Sequence, residues 1–213
     1  LLKYLGDFGW VGDVLTVDNP SVPLRDDSLL CDVPPTAHVY RARTLEPSYA
    51  TKEATWGEVT SPQATASPWR SLRGRVLSVA RRAAVPDPQV LWLPGAVLAL
   101  RRVLRGPLRP AAVLLSAPPF SQFLLGPVVR QHPGVGLVYD YRDEWSTART
   151  TYEMLQGGIA NAVGSALERR LLPLAHVITT ATEEFAEHLV QRFPALPPER
   201  LRVITNGFDP DDF

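Results

Sequence analysis

The chain has 213 residues, 45% of them hydrophobic, enough to bury one substantial core and too few for two full domains. Lysine plus arginine equals aspartate plus glutamate at 22 each, which excludes the one-sided basic field of a general nucleic-acid binder and suits a neutral or polar substrate. A lone cysteine, Cys31, excludes an intrachain disulfide and a cysteine-rich metal site, and fits a reducing, cytoplasmic setting.

The chain opens Leu1-Leu2-Lys3-Tyr4, with neither a methionine nor a signal-peptide arrangement, which reads as a processed or truncated start. Leu1 to Phe8 is expected to be the end of a helix. Gly12-Asp13 then leads into the β-branched run Val14 to Asp18, closed by Asn19-Pro20, which predicts a strand. Residues 20–70 are loop-rich: proline, serine and threonine dominate Pro20 to Pro35 and Pro47 to Pro68, around a strand expected at Ala37 to Arg43. Ser71 to Ala84 has helical spacing, with Leu72, Val76, Val79 and Ala83 on one side, and Ala96 to Arg105 repeats that pattern.

From there the alternation is clear. Strands are predicted at Ala112 to Leu115, Gly136 to Tyr141, Val177 to Thr180 and Arg202 to Ile204, separated by helices at Phe120 to Gln131, around Ile159 to Leu172, and at Glu183 to Phe193. Short apolar strands separated by helices make an α/β fold, a doubly wound, mostly parallel Rossmann-like sheet with helices on both faces. The uncharged run from Pro110 to Val129 is broken centrally by Pro118-Pro119, so it reads as strand, turn and helix, not as a membrane span. In such sheets ligands collect beyond the carboxyl ends of the strands, so the polar residues just after each strand are the candidates for function.

Two clusters stand at those positions. Ser116-Ala117-Pro118-Pro119-Phe120-Ser121 follows one strand; Ser116, Pro118 and Ser121 read either as a wall of an acceptor pocket or as a strand-to-helix turn with Ser121 as its cap. Asp140-Tyr141-Arg142-Asp143-Glu144-Trp145 follows the next, packing four ionisable side chains and two aromatics where charge is costly unless paired. Strand alternation puts Asp140 and Arg142 on one face, Tyr141 and Asp143 on the other. Asp143 or Glu144 can orient or deprotonate a sugar hydroxyl, Arg142 can hold a carboxylate or phosphate, and Trp145 can stack on a sugar ring. The alternative is an internal salt-bridge network, Asp140 or Asp143 with Arg142, that anchors the loop. The histidines His38, His132, His176 and His188 have no metal-site spacing, so no metal is expected.

The ordered set SAPPFS, DYRDEW, AHVITTATEEFAEHL and VITNGFDPDDF, over roughly Asp87 to Phe213, resembles the N-terminal domain of glycosyltransferase family 4 enzymes. The resemblance implies one half of a two-Rossmann-domain (GT-B) enzyme, with the whole chain as a single acceptor-side domain and residues 205–213 starting the interdomain linker. In that family D-x-R-D-x-W follows a strand facing the cleft, matching Asp140, Arg142, Asp143 and Trp145. I-x-N-G-x-D marks the connection to the second domain, matching Ile204, Asn206, Gly207 and Asp209, with Asn206 and Gly207 as the hinge. The implied reaction is retaining and metal-independent: a sugar passes from a nucleotide-diphosphate sugar to a hydroxyl of a sugar or glycolipid acceptor. No cofactor is expected beyond that co-substrate, which would be bound mainly by a C-terminal domain absent from this sequence, so the chain alone is expected to be inactive.

Two other readings compete. One is a non-catalytic carbohydrate- or lipid-head-group-binding domain of the same fold. The other, a nucleotide-dependent oxidoreductase, lacks its glycine fingerprint, since Gly134-x-Gly136 precedes a strand and Gly157-Gly158 lacks the remaining spacing. Trp69, Leu72 and the arginines 70, 73, 75, 81 and 82 read either as a solvated helix face or as a peripheral contact with the anionic inner face of a membrane.

Overall fold

A computed structural model of the protein describes residues 1–24, 26–51, 85–145 and 158–210. The helix expected at Ser71 to Ala84, with its arginine stripe, lies outside the described residues.

The first two predicted strands form a parallel pair, β1 (Val14–Val17) and β2 (Val39–Ala42), in register from Val14↔Val39 to Val17↔Ala42. The preceding segment is a 3-10 helix, Leu2–Phe8, closed by Gly9. Gly9 takes the left-handed conformation (φ 74°) that glycine reaches without a Cβ penalty, and its N–H reaches back to the last turn. Lys3 forms an ion pair with Asp209 at 2.8 Å, and the Tyr4 hydroxyl also donates to Asp209, so this turn rests against the segment that follows the last strand.

A 3-10 turn, Pro88–Trp92, leads into α1 (Leu93–Arg105). The helix starts three residues earlier than its apolar pattern indicates, because Pro94 fits the first turn, where its missing N–H has no intrahelical partner to lose. Ala96, Leu100 and Leu104, spaced by four, are buried, and Arg102 and Arg105 sit in the last turn, where cations suit the helix dipole. α1 packs against both β1 and β2. Its approach is close: a Cβ on Gly95 would lie 2.5 Å from the Arg43 carbonyl, and buried Trp92 donates its indole N–H to the Ala42 carbonyl at 3.0 Å.

The second sheet has four parallel strands in sequential order: β3 (Ala112–Ala117), β4 (Gly136–Tyr141), β5 (Val177–Thr180) and β6 (Leu201–Val203). The fold is thus α/β and Rossmann-like, but the strands among the described residues form two hydrogen-bonded sheets instead of one; α1 packs on the first sheet and also against the turn that follows β3. The helix expected at Phe120 to Gln131 is divided into a 3-10 segment, Phe120–Leu125, and a short α2 (Gly126–Arg130). Pro127 explains the break, since it cannot donate the α-helical bond to the Phe123 carbonyl. That carbonyl instead accepts from the buried Tyr139 hydroxyl at 3.1 Å. α3 (Gly158–Leu171) and α4 (Glu183–Arg192) complete the layer, and Thr182 caps α4 by accepting the Phe185 N–H at 3.2 Å.

Under the sheet lies an aromatic core. Phe123 packs on Tyr139 and Tyr141 at centroid distances of 4.5 and 4.7 Å, and Tyr141 meets Phe185 edge-on at 5.5 Å. Glu168, fully buried, accepts the Tyr141 hydroxyl at 3.0 Å. Burial, with the Glu168 charge beside it, pushes the Tyr141 hydroxyl well above its ordinary pKa, so it stays a donor. No helix among the described residues is long and apolar enough to cross a membrane.

Gly126 is the tightest point of this packing, because a Cβ there would overlap the Tyr139 ring and hydroxyl. Gly126→Ala is expected to destabilise the fold by about 3 kcal/mol, the scale of core overpacking. Adding Tyr139→Phe removes the overlapping hydroxyl, so in urea denaturation the double variant should be more stable than the sum of the two single losses. Strict additivity would show that the two groups do not compete for this space.

Candidate functional site

Three strands end in register at Ser116↔Asp140↔Thr179, which places these side chains on one face of the sheet. The Asp140 side chain is only 5% exposed, yet its carboxylate is fully provided for. Oδ2 accepts the Ser116 hydroxyl at 2.8 Å and Arg142 Nε at 2.9 Å; Oδ1 accepts the Thr179 hydroxyl at 2.5 Å and lies 2.7 Å from Arg142 Nη2. Burial alone would raise its pKa, but the Arg142 guanidinium and the two hydroxyls outweigh it and hold the carboxyl below the ordinary aspartate value.

Arg142 also reaches across to the chain segment after β6, donating from Nη1 to the Ile204 carbonyl at 3.3 Å and to Asn206 Oδ1 at 3.0 Å. Its own N–H continues the sheet pairing onto Ala117, as Ile204 N–H does onto Thr180. One network therefore joins Ser116, Asp140, Arg142 and Asn206. Gly207, next along, is exposed with open space around it.

The rest of the cluster diverges. Asp143 is exposed and makes no hydrogen bond or ion pair with the described residues. Glu144 turns toward α4, its Oε1 lying 3.0 Å from His188 Nδ1. Trp145, expected to stack on a sugar, is 8% exposed and lies parallel to Phe120 at 5.0 Å, with Gly164 beside its indole nitrogen. Its large apolar surface is used inside the core, which leaves no open ring face on the scale of a sugar.

Ser121 does not cap the turn it belongs to. It is the second residue of the 3-10 segment, fully buried, and its backbone N–H donates to Asp87 Oδ2 at 2.9 Å; the capping position is Pro119, which has no side-chain acceptor. Pro118, between two cis peptide bonds, is exposed at the strand end. Thr179, His188 and Asp87 are the site's participants that the sequence did not single out. Thr179 ends a strand as Ser116 and Asp140 do, and that position was its one signal; nothing local marks His188 or Asp87. An open cavity of about 390 Å³ lies elsewhere, between β2 and the end of α1, lined by Tyr40, Arg41 and Arg102 among others and by none of these residues.

The arrangement separates two kinds of charge. The Asp140–Arg142 pair is internally balanced and fixes geometry, while Asp143 leaves the same strand end with its carboxylate toward solvent. Beside it, Glu144 raises the pKa of His188 above the ordinary histidine value, aided by Glu184 and Glu187. The ion pair is therefore present below that raised pKa and is lost as pH rises through it. In an NMR titration His188 should titrate above the ordinary histidine value, and Glu144→Gln should lower its midpoint; a midpoint indifferent to the substitution would mean the pair does not persist in solution.

Residues 56–212 match the family model for Glycosyltransferase Family 4. Among curated proteins, none matches the chain at a significant level. The family match spans most of the sequence, including β3 to β6, the Asp140–Arg142 network and the Asn206-Gly207 turn, and the chain belongs to glycosyltransferase family 4.

Proposed function

We propose that this domain is the acceptor side of a sugar transferase that passes a sugar from a nucleotide-diphosphate donor to an acceptor hydroxyl, with retention at the anomeric carbon. The family supplies the general class, a glycosyltransferase-type function. The observation that carries the finer reading is Asp143, an exposed carboxylate without a partner among the described residues, next to a strand end that Asp140 and Arg142 hold rigid.

In this reading Asp143 accepts a hydrogen bond from the acceptor hydroxyl and increases its nucleophilicity, a contribution that in general acid–base catalysis is worth about 10²–10⁴ in rate. Ser116 and the exposed Pro118, at the carboxyl end of β3, line the acceptor, a sugar or a glycolipid head group. Arg142 acts through position: its charge is balanced by Asp140, and its contacts with Ile204 and Asn206 set the exit of the chain toward the hinge. Stabilising the departing diphosphate requires preorganised donors aimed at the developing charge. Those belong to a second domain that grips the nucleotide, and the Asn206-Gly207 turn is where it would join.

Transfer by the intact gene product over a panel of nucleotide sugars tests this. Asp143→Ala should lower kcat by about a hundredfold or more with an unchanged circular dichroism spectrum. Full activity in that variant would remove Asp143 from the chemistry, and an intact protein that transfers to no acceptor from any donor would favour a non-catalytic carbohydrate-binding domain.

A further inference from the structure

Asp87 lies just ahead of the Pro88–Trp92 turn, in extended backbone and away from the Asp140 network. Its Oδ2 accepts the N–H of Ser121, 34 residues further on, at 2.9 Å, and the N–H groups of Phe120 and Gln89 also bear on the carboxylate. Burial raises its pKa, and these amides offset part of that rise. The other oxygen, Oδ1, and the fully buried Ser121 hydroxyl both lack a hydrogen-bond partner among the described residues; the hydroxyl lies beside the carboxylate without closing a well-formed bond. A half-buried carboxylate is thus spent on holding backbone amides of a turn distant in sequence, an expensive arrangement for a surface loop.

The turn that it holds, Ser116 to Ser121, is the one that the transferase reading sets against the acceptor. Phe120, whose N–H turns toward Asp87, is 1% exposed and stacks its ring on Trp145 at 5.0 Å with planes 14° apart. Trp145 stands two residues after Asp143. Contacts therefore run from the Asp87 carboxylate, through the amides of Phe120 and Ser121, to the Phe120–Trp145 stack and the segment that carries Asp143.

We propose that Asp87 is a positioning residue for the acceptor side of the site: its carboxylate clamps the Ser116–Ser121 turn and, through the Phe120–Trp145 stack, fixes the placement of Asp143. The kinetic part rests on the transferase reading above; the clamp itself does not. Asn at this position can accept the Ser121 N–H and donate to the unpaired Ser121 hydroxyl, so Asp87→Asn keeps the clamp and Asp87→Ala removes it.

The test uses the intact gene product with Asp87→Ala, Asp87→Asn and Phe120→Leu. The Trp145 contribution to near-ultraviolet circular dichroism, taken as the difference from a matching Trp145→Phe partner, should vanish in Asp87→Ala and persist in Asp87→Asn. The acceptor KM should rise roughly tenfold in Asp87→Ala and in Phe120→Leu, with the donor KM within about twofold of the parent and Asp87→Asn resembling the parent. An unchanged Trp145 signal in folded Asp87→Ala overturns the clamp, whether or not any transfer is detected. If Asp87→Ala does not fold, Phe120→Leu decides: an unchanged acceptor KM overturns the link to Asp143.

Discussion

The carboxylate of Asp140 is the constraint on which the site depends. An ionised carboxylate taken out of water costs several kcal/mol unless donors surround it. Here the donors come from the two flanking strands and from the residue two positions on, so the carboxylate is satisfied only when Ser116, Asp140 and Thr179 stand in register and Arg142 folds back over the strand end. Slipping any one strand by a residue would send its donor to the opposite face of the sheet. The buried charge thus specifies a register that the apolar runs of β3, β4 and β5 do not specify by themselves.

The consequences spread outward from that point. Arg142, held by Asp140, has one nitrogen left for Ile204 and Asn206, so the exit of β4 and the segment leading to the Asn206-Gly207 turn are joined by the same guanidinium. Asp143, the next residue, is exposed and leaves the pair without a described partner. The opposite face of β4 is ruled by different physics: Tyr139 and Tyr141 pack into aromatic contacts and direct their hydroxyls to the Phe123 carbonyl and to Glu168. One strand therefore separates a polar, charge-balanced layer from a close-packed aromatic one, and it is the rigidity of the second that lets the first hold its geometry.

Much of the fold could be read from the chain because its strands are short apolar runs ended by turn residues. Gly136 to Tyr141 and Val177 to Thr180 have the predicted limits, and β1, β2, β3 and β6 differ from theirs by one or two residues at an end. What could not be read depends on contacts between distant segments. Apolar periodicity carried across Gly126-Pro127, yet the proline divides the helix there. Trp145 belongs to a motif that reads as a sugar platform, but whether an indole faces solvent or a phenylalanine 25 residues earlier is decided by packing alone. The charge cluster was visible as a cluster. The sequence alone leaves open whether Arg142 pairs with Asp140 or Asp143, and in the structure its guanidinium folds back onto Asp140.

The central claim is that Asp140 is a buried, ionised carboxylate held by Arg142 and two hydroxyls, and a carbon-13 NMR titration of its carboxyl group tests it most directly. The account predicts a midpoint below the ordinary aspartate range that moves upward in Arg142→Met, with the ion pair's stabilisation present at neutral pH and lost as pH falls through that midpoint. A midpoint at or above the ordinary value, unmoved by the loss of Arg142, would contradict it.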